Sequence, residues 1–173
     1  MAHSTIQKAT FINSLKQEMI DADIDPNGTP EFSKTSIVEL LMKVQTLRDL
    51  WEKSTYIGFS IEENGYAEVN GEKYSLNGKV DATLKQSDQT NEYTSHVANK
   101  VIIYKPAFVS YLRLGFTLGH ELIHVHHINT GFSLKIFNSR SLNEAKNYLE
   151  RLAYGWNMNY GDPQAADKMK MYQ

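Results

Sequence analysis

The stretch Gly119-His120-Glu121-Leu122-Ile123-His124-Val125-His126-His127-Ile128 carries two histidines four residues apart, with a glutamate directly after the first. On an α-helix such a pair projects from one face, about one turn apart. Two imidazoles held that way can bind one zinc ion through their ring nitrogens. Glu121 lies roughly 100° further round the helix, so it is placed to meet a water rather than to act as a third ligand. Leu118, Leu122, Ile123 and Val125 supply an apolar back for burial. The stretch therefore predicts a buried helix with polar chemistry on one face: a zinc-dependent hydrolase, with a peptidase as the first choice.

The whole chain is compatible with this. Its 173 residues, 41 % apolar and 22 % charged, suit one domain over residues 1–173 with a sizeable core. Eighteen Lys and Arg against twenty Asp and Glu leave a net charge of −2. No segment gathers the basic residues into a stripe, so a nucleic-acid partner has no electrostatic support. There is no cysteine, which removes disulfides, thiolate metal sites and a cysteine nucleophile. No run approaches the length of a membrane-spanning helix, so membrane insertion is not expected. The segment Met1 to Lys8 has no basic region followed by an apolar one, as a secretory signal would.

Upstream of the motif, Ser4-Thr5-Ile6-Gln7 fits a capping box, and Ile6, Ala9, Ile12, Leu15 and Met19 continue at helical spacing to about Asp21. Asp25 to Pro30 is rich in turn formers. Ser36-Ile37-Val38-Glu39 fits a second capping box, opening a helix with Leu40, Leu41, Val44, Leu47 and Trp51. Three Asn-Gly pairs, at 64–65, 70–71 and 77–78, then punctuate expected strands Tyr56 to Ile61, Tyr66 to Val69, Lys73 to Leu76 and Lys79 to Leu84. Lys85 to Asn99 is polar and without period, which predicts a loop bordering a cleft. Val101 to Tyr104 reads as a short strand closed by Pro106. One or two helices follow from Ala107 to Ile128, with Gly131 as a C-terminal cap.

Downstream, Phe132 to Phe137 reads as a connecting strand or loop. Ser141-Leu142-Asn143-Glu144 fits a third capping box, opening a helix to about Tyr154, and Gly155, Gly161 and Pro163 break up the tail. The expected class is α+β: helices packed on a small, mostly antiparallel sheet.

Catalytic zinc usually takes three protein ligands and leaves a position for water. The third separates the classes. Metzincins add a glycine and a third histidine at fixed offsets, where this chain has His127 and Thr130. A deformylase-type site needs a cysteine. A glutamate on a later helix remains, the gluzincin arrangement, and two compete for it. Glu144 and Glu150 are six residues apart, so they point roughly 120° away from each other and only one should face the metal. Glu144 is explained as the third residue of its capping box, whereas Glu150 sits mid-helix with no such role. Glu150 is the expected ligand.

Gly119 to His124 followed by His127 resembles the site of clostridial neurotoxin light chains. It resembles still more the smaller NleD-type effector proteases that bacterial secretion systems deliver. In those families a second motif has a glutamate followed by two residues, a small residue, an aromatic or aliphatic one, and glycine. Glu150-Arg151-Leu152-Ala153-Tyr154-Gly155 is similar. The resemblance spans Leu118 to Gly155 and implies a zincin-like fold and a zinc endopeptidase acting on proteins of the cell it enters. It also implies an immunity protein or secretion chaperone as a partner, and secretion or delivery by a non-classical route, with the cytoplasm as the alternative. Those families carry an arginine and a tyrosine after the ligand helix that help hold the transition state. Here the tail offers tyrosines but no clear Arg–Tyr pair.

The resulting expectation has Zn²⁺ on His120, His124 and Glu150, Glu121 as general base and acid, and Tyr160 or Tyr172 donating to the oxyanion. His127 is expected beside the cleft rather than on the metal, His126 toward solvent or packed at the helix end, and His96 on the polar loop, either exposed or bordering the cleft. Two rival readings remain: a non-catalytic binding or regulatory module of the same fold, and a housekeeping intracellular peptidase.

Overall fold

The computed structural model describes residues 14–173. One long helix, α4 (Tyr111–Asn129), is the axis on which the other elements pack. It begins at Ser110, whose hydroxyl accepts from the backbone N–H of Arg113, and so pairs one of the donors a helix start leaves free. Thr130 ends it, and Gly131 follows in the left-handed region at φ +80°. Before it come α1 (Leu15–Asp21), α2 (Lys34–Lys43) and α3 (Gln45–Lys53); after it come α5 (Phe132–Ser139), α6 (Leu142–Asn159) and α7 (Ala165–Lys170).

Between α3 and α4 lie five strands: β1 (Phe59–Glu62), β2 (Tyr66–Val69), β3 (Glu72–Ser75), β4 (Gly78–Gln86) and β5 (Tyr93–Tyr104). They form a three-stranded sheet in the order β1-β5-β4 and a separate β2–β3 hairpin. β5 pairs parallel with β1, Phe59 opposite Val101, and antiparallel with β4, Gly78 opposite Ile103. The sheet is thus mixed, and the class is α+β.

The core follows the apolar periodicity. Leu15 and Met19 of α1, Ile37, Leu40 and Leu41 of α2, and Leu47 of α3 meet Leu114, Leu118 and Leu122 of α4. Val101 and Ile103 close it from the sheet, and all of these are fully buried. Each such side chain stabilises the fold by about 1.5–3 kcal/mol on transfer from water. Gly115 lets α1 come close, since a Cβ there would lie 2.3 Å from the Met19 methyl.

Several expectations change. The first capping box and Ile6 to Ile12 lie outside the described residues. Ser14 is extended and caps α1 through the N–H of Gln17, so no single helix runs through that residue to Asp21. The second helix starts at Lys34. Ser36 therefore lies inside it and donates to the Glu31 carbonyl at 2.7 Å instead of capping. That helix also ends at Val44, which is extended, and α3 starts anew with its Thr46 N–H and hydroxyl bound by the Glu18 carboxylate.

The stretch Lys85 to Asn99 is not a loop. It is the end of β4, a short turn and the first half of β5. Polar residues hold it there, as Asn138 brackets the Tyr93 backbone at 2.7 and 2.9 Å and His96 meets Ser133 at 2.7 Å. The segment 132–137 is part of helix α5, not a strand or loop. Helix α6 runs past Gly155 to Asn159, because Ala145, Leu149, Ala153 and Asn157 keep one buried stripe across that glycine.

Candidate metal centre

Helices α4 and α6 pack against each other and carry the polar cluster between them. On α4 the residues Arg113, Thr117, His120 and His124 recur at helical spacing, and on α6 Glu150, Tyr154 and Asn157 do the same. Close approach of the helices depends on Gly119. A Cβ there would fall 1.8 Å from the Trp156 ring, which stacks on Tyr160.

His120, His124 and Glu150 converge. Their Nε2 atoms are 3.2 Å apart, and Glu150 lies 3.1 Å from His120 through Oε2 and 3.0 Å from His124 through Oε1. Ligands about 2 Å from a tetrahedral ion sit roughly 3.3 Å from one another, so these atoms are spaced to hold one. Among the described residues this is the group that could hold a metal ion. Glu144, in contrast, is exposed at the start of α6, where its N–H donates to the Ser141 hydroxyl at 3.3 Å.

The chemistry of the ring atoms points the same way. Asn157 Oδ1 lies 3.1 Å from His120 Nδ1, and Asn157 Nδ2 donates to Asp162 Oδ2 at 2.9 Å. Asp162 is held in turn by both guanidinium nitrogens of Arg113, at 2.9 and 3.0 Å, and by the N–H of Gln164. A carboxylate only accepts, so the amide oxygen must face the ring and His120 Nδ1 must donate. Nε2 is then the ring nitrogen left to face the Glu150 carboxylate and His124, the position a metal ligand would take.

The charges respond accordingly. Burial acts to lower the His124 pKa, but the Glu150 and Glu121 carboxylates outweigh it and raise it to about 9. Burial acts to raise Glu150, and the two imidazoles bring it far below the carboxylate range instead. Glu121 is raised, by burial first, with Glu150 adding to it against the histidines. Its Oε1 lies 3.9 Å from His120 Nε2, and Gly78 at the head of β4 sits against its Cγ.

Two aromatic groups cover the centre. The Tyr154 ring sits 4.3 Å from the His120 ring, and Tyr172 stacks on Tyr154 at 5.9 Å. Burial and then Glu150 raise both phenols above their usual pKa, so both keep a proton to donate. Arg151 holds the Tyr172 backbone carbonyl. Tyr160, the other expected donor, packs on Trp156 and the main core and does not line the hollows at the centre. Asn157, Asp162 and Arg113 had no place in the sequence-based expectation, and Tyr154 entered it as a tail tyrosine without an assigned role. The α4 and α6 stripes carried the signal for all but Asp162.

His96 and His127 line the wide side of the site. His127 packs on Phe132, its Nδ1 has no partner among the described residues, and burial followed by His124 and His126 carries it down to about 4. His96 lies on β5, not a loop, with its pKa lowered by burial and then by His124. His126 is half-buried in the last turn of α4, as packing at the helix end requires. Among the described residues no helix is long and apolar enough to cross a membrane. Compared with known proteins, the chain matches no family model, no curated protein and no solved structure.

Proposed function

We propose that this chain is a zinc-dependent endopeptidase of the gluzincin type with a zincin-like fold, hydrolysing peptide bonds in a protein substrate. The observation that carries the reading is the convergence of His120, His124 and Glu150 beside a buried Glu121. The two histidines and Glu150 hold the ion, and zinc is the metal that suits two imidazoles and one carboxylate. A zinc ion held there supplies the positive charge that acidifies a water and polarises a peptide carbonyl.

Glu121 takes a proton from the attacking water and returns it to the leaving nitrogen as the C–N bond breaks. One water is consumed, and a carboxylate and an amine are left. Tyr172, with Tyr154 behind it, donates a hydrogen bond to the oxygen that becomes negative in the transition state. Asn157 and Asp162 keep His120 in the tautomer that offers Nε2, as partners of metal-binding histidines commonly do.

The resemblance to NleD-type effectors and neurotoxin light chains adds that the substrate is a protein of another cell. The chain would then be secreted or injected and be met by an immunity protein or a secretion chaperone. Glu121→Gln tests the reading. The variant should bind zinc as the wild type does and lose protein cleavage by a factor on the order of 10² or more. Cleavage at the wild-type rate would remove Glu121 as the base. Zinc binding with no cleavage by the wild type on any protein offered would favour a binding module.

A further inference from the structure

Tyr172 comes to the metal centre from a turn. It lies two residues past α7, a helix of only six residues, and its N–H donates to the Met169 carbonyl at 3.1 Å. The residue is nevertheless only 9 % exposed. It borders both hollows at the centre, a wide one of about 480 Å³ and a narrow one of about 80 Å³, and Glu121 and Glu150 border both as well. A single turn does not hold a phenol to the tolerance a catalytic donor needs, where a displacement of about 1 Å can cost on the order of 10²-fold.

The missing constraint comes from α6. The Tyr154 ring, one turn after Glu150, lies 4.3 Å from the His120 ring and 5.9 Å from the Tyr172 ring. Arg151, directly after Glu150, donates through Nη1 to the Tyr172 main-chain carbonyl. Metal ligand and tether therefore occupy consecutive positions of one helix, and the phenol is held to the same rigid element as Glu150. Asn70 Nδ2 donates to the neighbouring Met171 carbonyl at 3.2 Å, but that contact is exposed, whereas the Arg151 bond is half-buried. A charged donor also makes the stronger bond.

Arg151 has little else to do. Among the described residues no carboxylate lies within ion-pair distance of it. Its guanidinium stands 5.8 Å from the Tyr148 ring, where Arg140 is the nearer cation at 3.8 Å. It borders neither hollow, so its effect on the centre passes through the main chain of Tyr172.

We infer that Arg151 is a positioning residue, which by holding the Tyr172 carbonyl keeps the phenol beside the metal centre and within reach of the substrate oxygen on which charge develops. This rests on the peptidase reading above. A hydrogen bond made only in the transition state lowers kcat when it is lost and leaves KM in place. Loosening the phenol should do the same without disturbing the zinc ligands.

The test uses Arg151→Met, which keeps an apolar stem and removes the donor, beside Arg151→Lys, which keeps a cationic donor. With casein as the unfolded protein substrate, kcat should fall about 10- to 100-fold in Arg151→Met, with KM and zinc content unchanged. Arg151→Lys should recover most of the loss. Arg151→Met combined with Tyr172→Phe should be no slower than Tyr172→Phe alone. Unchanged kcat, or losses that multiply in the double variant, would overturn the inference. A readout independent of cleavage is the ¹⁹F spectrum of protein labelled with 3-fluorotyrosine, in which Tyr172 is the line missing from Tyr172→Phe. That line should sharpen and move toward its unfolded position in Arg151→Met but not in Arg151→Lys, and an unmoved line would overturn the tether. A released Tyr172 in a protein that cleaves nothing would sink the peptidase reading and leave the tether standing.

Discussion

Asn157 fixes the proton of His120. With its amide nitrogen committed to Asp162 and its oxygen 3.1 Å from Nδ1, it leaves the ring only Nε2 to present to Glu150 and His124. Asn157→Ala frees the ring to turn and to change tautomer. Zinc affinity should fall about 10–100-fold, the range seen when such partners of a ligand are removed. Titration calorimetry with zinc measures it, and unchanged affinity would mean that the amide is packing only.

Asp162 is the anchor of that chain, buried and paired with Arg113. Burial would raise its pKa, but the Arg113 and Asn157 hydrogen bonds and the Gln164 N–H hold it below the usual value. The folded carboxyl thus binds its proton less readily than the unfolded one, whose pKa is about 3.9. Its contribution is fully present above about pH 4 and is lost as pH falls through the folded value. Asp162→Ala should cost about 3 kcal/mol at neutral pH by stranding Arg113. Denaturant titrations at several pH values should also show a weaker loss of stability below pH 4 in the variant.

Gly119 is part of the motif for a reason separate from the metal. Gly119→Ala puts a methyl into the Trp156 ring and forces α4 and α6 apart. The overpacking should cost about 1–3 kcal/mol. Because Glu150 rides on α6, zinc binding should weaken as well, which thermal melts with and without added zinc would separate.

These predictions divide between what the sequence made legible and what it did not. The grouping of His120 and His124 follows from helix period alone. Glu150 could be preferred to Glu144 because a cap explains the latter, and the Ser141 hydroxyl does accept the Glu144 N–H. The Arg113–Asp162 pair spans 49 residues, and no local pattern announces a contact that long. Tyr154 received no role for a local reason: it lies one turn after Glu150, but Gly155 beside it suggested that the helix was ending. The first half of β5 was hidden because its polar residues are satisfied by Asn138 and Ser133, which are far away in sequence. Ser36 resembled a cap, and Ser33 three residues earlier marks the actual start.

If the two histidines and Glu150 hold one zinc ion, metal content reports it, measured by plasma mass spectrometry on purified wild type, Glu150→Ala and Glu144→Ala after equilibration with zinc and dialysis. One zinc per wild-type chain is expected, the same in Glu144→Ala, and a near-complete loss in Glu150→Ala. Full retention in Glu150→Ala, or loss in Glu144→Ala alone, would contradict it.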